Sequence, residues 1–221
     1  MYIYICIRYH SRSRLMKGHC YMPQGFYISR KYWLMAIIPI WLLLRLITLL
    51  VRRKNNQPIN LKREFIINIF AVYIFSYIAV TLFPVTIFRV KQQYSIKPSI
   101  QFIPFKPIFD AMWYNVPARL IVRNIAGNVM LTIPFGVFLY LLWNQKFKNI
   151  KTVAISGLAV SLLTEILQYL QGILLPSIQT RESDINDIIF NVMGILIGYL
   201  FIKVYFKIQH KNISAHTILK L

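Results

Sequence analysis

The sequence predicts an all-α protein, a polytopic membrane helical bundle of about five transmembrane helices, and three observations carry that expectation. Hydrophobic side chains make up 57% of the 221 residues, and several apolar stretches reach the roughly 20 residues that a helix needs to cross a hydrocarbon core. Lysines and arginines gather at the ends of those stretches, as in proteins that face anionic lipid. Within the later stretches, polar and small residues recur at helical spacing, so the predicted helices have one hydrophilic edge.

Residues 1–31 are basic and aromatic and lack the compact apolar core and cleavage site of a secretory signal. They are expected to be a disordered tail, or to mark a translation start placed too early, with Met16 or Met22 as alternatives. Residues 32–63 hold a first span, about Tyr32–Val51, and a loop with Arg52, Arg53, Lys54, Lys62 and Arg63. Arg45 lies inside that span and is expected to snorkel toward the surface.

A second span covers about Phe65–Phe88, with Pro84 near its end, where a neighbour must satisfy the freed carbonyl. The connection Arg89–Pro117 holds four prolines and many aromatics, which suggests an interfacial or re-entrant segment at headgroup level. A third span, about Leu120–Trp143, starts at Arg119 and Arg123 and contains Asn124, Asn128, Pro134 and Gly136. Lys146, Lys148 and Lys151 close it with a second short basic loop.

In the fourth span, Thr152–Leu174, the residues Gly157, Ser161, Glu165, Gln168 and Gly172 fall within an arc of roughly 80° at 100° per residue. The fifth, Asp184–Phe206, follows a charged mouth and places Asp184, Asp187, Asn191, Gly194 and Gly198 within a similar arc of about 80°. Residues 207–221 form a basic tail.

Orientation rests on charge. The 52–63 loop, the 146–151 loop and the C-terminal tail together with Lys203 carry 12 basic residues against 13 on the opposite side, and a start at Met22 lowers the second total to 9. The short dense loops are weighted as cytoplasmic, which puts residues 180–187 outside a cell membrane crossed several times.

The net charge of +20 comes with no RNA- or DNA-binding motif, so no nucleic acid partner is expected; membrane lipids are. Cys6, Cys20 and all four histidines (His10, His19, His210, His216) lie in the tails, away from any intramembrane site. Four of the six acidic residues, Glu165, Glu182, Asp184 and Asp187, lie within 23 positions.

A carboxylate inside an apolar helix is costly unless it is paired, protonated or hydrated, which makes Glu165 a functional candidate with Arg181 or Arg123 as partner. Glycines beside these positions permit close approach, so the edges of spans four and five are expected to meet in a polar pocket, with Asn124 and Asn128 as a third wall. Other readings stand beside this one. Ser183 or Asp184 could be a plain N-cap with Asp187 in the first turn. Asn191, Gln168 and Ser161 could be interhelical hydrogen-bond glue, and Gly157, Gly172, Gly194 and Gly198 packing residues.

Four elements resemble the VanZ-like family of bacterial membrane proteins. They are I-P-F (Ile103, Pro104, Phe105), N-x-x-x-N-V-M-L-T-I-P-F-G (Asn124 to Gly136), E-x-x-Q (Glu165, Gln168) and R-x-x-D-x-x-D-x-x-x-N-x-x-G-x-x-x-G (Arg181 to Gly198). They occur in the family's order over about residues 65–206, with Glu182 and Ser183 outside the pattern. The resemblance implies an integral membrane protein, and the family's named member is linked to low-level resistance to the glycopeptide teicoplanin.

Three functions compete. One is a module whose polar pocket binds an amphiphilic antibiotic or a lipid-linked envelope precursor, using arginine for phosphate or carboxylate. Another is an intramembrane enzyme acting on a lipid-linked substrate, with Asp184, Asp187 and Glu165 holding a divalent cation or supplying a base. No obvious nucleophile accompanies that set, and outside it no metal or cofactor is expected. A small transporter ranks third, because the chain shows no internal repeat or paired broken helices.

Overall fold

A computed structural model of the chain describes residues 25–88, 99–175 and 183–218. In chain order the elements are β1 (Gly25–Ile28), α1 (Arg30–Lys54), α2 (Leu61–Leu82), β2 (Val85–Phe88), β3 (Ile100–Gln101), α3 (Lys106–Trp113), α4 (Ala118–Trp143), α5 (Ile150–Leu174), β4 (Ser183–Asp184) and α6 (Ile185–Ile218). Five helices are long and apolar enough to cross a membrane: α1, α2, α4, α5 and Ile185–Gln209 of α6. At 1.5 Å per residue these 22–26-residue segments are roughly 33–39 Å long, enough for a hydrocarbon core of about 30 Å.

Local chemistry sets the ends. Ser29 caps α1 by accepting from the Tyr32 N–H at 3.3 Å, and Arg52, Arg53 and Lys54 complement the dipole of its last turn. Asn60 caps α2 by accepting from the Arg63 N–H at 3.1 Å. The far end of α2 differs from the expected span to Phe88. Phe83 precedes a proline and is extended (φ −112°, ψ 153°), so the helix stops at Leu82, and Val85–Phe88 pair antiparallel with β1 instead. The carbonyls left open there are capped by side chains from elsewhere. Gln168 Nε2 donates to Thr81 O and Gln171 Nε2 to Leu82 O, both at 2.9 Å, while Arg30 Nε donates to Phe83 O at 2.9 Å.

Cross-helix contacts fix the directions. Helix α1 lies antiparallel to α2: Arg45 pairs with Glu64, Trp41 Nε1 donates to Asn68 Oδ1 at 3.0 Å, and Trp33 Nε1 donates to Phe75 O at 3.3 Å. The Arg45 side chain is 15% exposed, and Arg52 reaches the same Glu64 at 3.3 Å. The expected snorkelling is therefore corrected. A buried carboxylate one helix away offers the guanidinium a partner that lipid cannot.

Helix α2 runs parallel to α5, with Tyr77 Oη and Thr164 Oγ1 3.0 Å apart. It runs antiparallel to α4, where Tyr73 Oη donates to Leu131 O at 3.0 Å. The most extensive contact joins α4 and α6, which lie parallel. Its closeness comes from three glycines. A Cβ built on Gly136 would sit 1.9 Å from Ile195 O, one on Gly194 2.3 Å from Val129 O, and one on Gly198 2.0 Å from Ile133 O. Carbonyls at that range oppose glycine Cα–H groups, a recurrent contact at helix crossings.

The expected use of these glycines changes accordingly. Gly194 and Gly198 seat α4, not α5; Gly157 faces α6 from α5, where its Cβ would lie 3.1 Å from Ile195 Cδ1. Gly172 is partly buried near the end of α5. Toward the α4–α5 loop the bundle is apolar, closed by Leu139, Val153, Ile195 and Tyr199 with Phe135, Tyr140 and Trp143 against them. Tyr199 Oη donates to Phe147 O at 2.5 Å, which ties the loop to α6.

Candidate functional site

The opposite half of the same interface is polar, and it is built on the first turns of α6. Asp184 Oδ1 accepts from the Asn186 backbone N–H at 2.9 Å and from Asn186 Nδ2 at 2.8 Å, so Asp184 is the helix cap. Ser183, buried, donates from Oγ to Glu165 O at 3.2 Å, and the Asp184 N–H donates to Glu165 Oε2 at 3.2 Å. Glu165 is 7% exposed. Its carboxylate thus sits at the N-terminus of α6, where unpaired N–H groups and the positive end of the dipole favour negative charge. Asp184 and Asp187 lie within electrostatic reach of it, and Tyr77 of α2 within reach of Glu165 and Asp187.

Helix α4 supplies the next wall. Asn128 Nδ2 donates to Asp187 Oδ1, and one turn further in the Thr132 hydroxyl reaches Asn191 O at 2.9 Å. The short segment 99–105 closes the end. Ile100 and Gln101 pair in parallel with Ser183 and Asp184, and the Ser183 N–H donates to Ser99 O at 3.1 Å. Phe105, at φ 62°, directs its N–H to Asn186 Oδ1 at 2.7 Å and sets its ring edge-on to Phe190, 6.4 Å between centroids. A non-glycine residue held in the left-handed region marks a position that its surroundings over-determine. Beyond it, α3 leaves Phe109, Met112 and Trp113 exposed.

The structure therefore brings Glu165, Asp184, Asp187, Asn191 and Asn128 to one interface, while other expected members stand apart. Arg123 and Asn124 are exposed on the first turns of α4, and Arg123 forms no ion pair among the described residues. Arg123 lies about 140° around the helix from Asn128, whereas Asn124 shares that face one turn nearer the start of α4 and is exposed there. Gln168 spends its amide nitrogen on the end of α2. Arg181, with Glu182, lies outside the described residues. Among the described residues no three His, Cys, Asp or Glu side chains are arranged to hold a metal ion.

Three residues make contacts that the sequence did not assign to them. Asn186, 2% exposed, joins the Asp184 cap to Phe105, yet in sequence it is one more polar residue at a helix start. Ser183 falls outside the recurring pattern but bonds the Glu165 backbone. Glu64 begins its span beside a basic loop, where an acidic first-turn residue reads as ordinary dipole matching.

A family model described as VanZ/LLP1 matches residues 70–206. No curated protein matches the chain, and no solved structure does. The match takes in α4, α5, the head of α6 and most of α2, and leaves α1 with Arg45 and Glu64 outside it. Since it covers more than half of the chain and every residue of the polar cluster, this multi-pass protein of membrane-spanning helices belongs to the VanZ-like family.

Proposed function

We propose that the polar end of the α4–α5–α6 interface binds the headgroup of an amphiphilic or lipid-linked envelope ligand, and that this binding underlies tolerance to teicoplanin-type glycopeptides. The observation that carries the reading is Glu165. Its carboxylate is held inside an apolar bundle by the α6 N-terminus, while the other half of the interface is closed by Leu139, Val153, Ile195 and Tyr199. An interface that is polar at one end and apolar at the other suits a ligand that engages from one membrane face and goes no deeper. It suits continuous passage less well, because passage needs a polar path at both ends. The exposed aromatics of α3 beside this polar end fit a ligand whose hydrocarbon part stays in lipid. An uncharged headgroup contact through Asn128, Asn186 and Asn191, with Arg181 as an anionic-group partner, completes the binding chemistry.

The enzymatic alternative has less support. Glu165, Asp184 and Asp187 each spend an oxygen on a backbone or amide donor, and their oxygens do not converge as a divalent cation would require. Expression in a susceptible host lacking a VanZ-like protein tests the proposal. Teicoplanin tolerance is expected with the wild-type chain and expected to fall to the empty-vector level with Glu165→Gln and with Arg181→Ala, at unchanged membrane abundance. Tolerance that persists in both variants, or that the wild type never confers, refutes the reading.

A further inference from the structure

Two arginines on the outer face of α4 find no acidic partner among the described residues. Arg119 and Arg123 stand one turn apart, both exposed, and neither forms an ion pair there. At 100° per residue Arg119, Arg123, Gly127 and Met130 fall within an arc of about 80°. That arc is open: Met130 is 69% exposed, and a Cβ built on Gly127 would meet nothing within 4 Å. In a helix long and apolar enough to cross a membrane, such a face meets lipid.

The placement is unfavourable by itself. Like charges four residues apart on a helix repel, and cations near a helix N-terminus oppose its dipole. Depth adds to the cost. The 26 residues of α4 span roughly 39 Å against a hydrocarbon core of about 30 Å. With the excess shared between its ends, Arg119 lies about 3 Å outside the core and Arg123 about 3 Å within it. Nearby carboxylates are engaged elsewhere: Asp110 of α3 pairs with Lys106, and Asp187 accepts from Asn128 on a different face of α4. The phosphate layer of the bilayer, by contrast, lies just above the pair. Helical side chains lean toward the N-terminus, so both arginines extend outward to that layer.

Charge and oxygen count select the headgroup. A guanidinium fork takes two oxygens of a phosphate. A phosphodiester offers two unbridged oxygens and one negative charge, which suits one fork. A terminal phosphate offers three acceptor oxygens and a charge of about −1.5 to −2 at neutral pH, which suits two. The apolar surround, with Val122 61% exposed beside Met130, favours a phosphate that carries hydrocarbon over a free one.

We propose that Arg119 and Arg123 form a site on the lipid-facing edge of α4 for a lipid that ends in a terminal phosphate. The site is separate from the Glu165 cluster and does not rest on the function proposed for it. The test is equilibrium binding of fluorescent short-chain phosphatidic acid to the purified full-length protein in nonionic detergent, at neutral pH and constant ionic strength. Saturable binding near one lipid per chain is expected, with phosphatidylglycerol, a phosphodiester, at least about tenfold weaker. Arg119→Gln and Arg123→Gln are each expected to weaken binding about tenfold or more at an unchanged melting midpoint, and Arg123→Lys, which keeps the charge and loses the fork, to weaken it less. Phosphatidic acid that does not saturate, or that binds the Arg119→Gln, Arg123→Gln double variant as tightly as the wild type, overturns the proposal. Equal binding of phosphatidylglycerol also overturns it, because charge alone then accounts for the affinity. Inorganic phosphate that competes as strongly as the lipid does so too, because the hydrocarbon then contributes nothing.

Discussion

Two glycines of α4 make the sharpest prediction, since the same substitution at each is expected to act with opposite sign. A methyl group on Gly136 would lie 1.9 Å from Ile195 O and 2.7 Å from Tyr199 N, both backbone atoms of α6. Ordinary contact begins near 3.4 Å, so the two helices must separate by about 1.5 Å, and no side-chain rotation relieves the clash. Overpacking of this kind costs about 1–3 kcal/mol, set against a gain of roughly 1 kcal/mol as alanine replaces glycine in a helix. The 1.9 Å clash with backbone places the cost at the upper end, so the net loss is up to about 2 kcal/mol, which in a chain of this size lowers the melting midpoint by up to about 4–8 °C. Gly127, nine residues earlier, has nothing within 4 Å of the position its methyl would take, so Gly127→Ala keeps only the helix gain and is expected to raise the midpoint by about 1–4 °C. Both values can be read from fluorescence-detected size exclusion of heated, detergent-solubilised protein. A Gly136→Ala variant that melts at or above the wild type would refute the glycine-seated α4–α6 contact.

Two further perturbations probe the ends of the bundle. Asn186→Ala removes the acceptor of the Phe105 N–H and the amide that bonds Asp184; a loss of about 1–3 kcal/mol is expected. Faster amide exchange should be confined to residues 99–105 and the first turn of α6, and uniform exchange across the bundle would count against the latch. At the other end, Arg45→Met leaves Glu64 buried with only the Arg52 contact at 3.3 Å. It is expected to cost up to about 3–5 kcal/mol, whereas Arg45→Met with Glu64→Leu should recover most of that loss. Equal melting of the single and double variants would show that the pair is not coupled.

Much of the architecture is legible in the chain because the bilayer imposes it. Apolar length decides which segments cross, and basic residues mark the loops, so the five spans stand within a few residues of those expected except at the end of α2, six residues short of Phe88. The family resemblance is legible for a related reason. Its motifs carry residues that do local work: Asp184 caps α6, Gly194 and Gly198 admit another backbone, and Phe105 turns at the head of the site.

Periodicity gives the edge of a helix but not the neighbour that meets it. The stripe containing Gly194 and Gly198 reads equally well as a face for α5 or for α4, and only the packed bundle assigns it to α4. The same holds for Arg45, Gln168 and Asn124. Whether a polar side chain in an apolar helix points to solvent, to a helix end or to a buried carboxylate depends on which atoms lie across the interface. The sequence by itself determined that this protein crosses a membrane several times and that α5 and α6 carry hydrophilic edges. Tertiary structure decided that those edges meet at Glu165 and the α6 N-terminus, because a buried charge is held by partners from other helices, and their proximity is a property of packing.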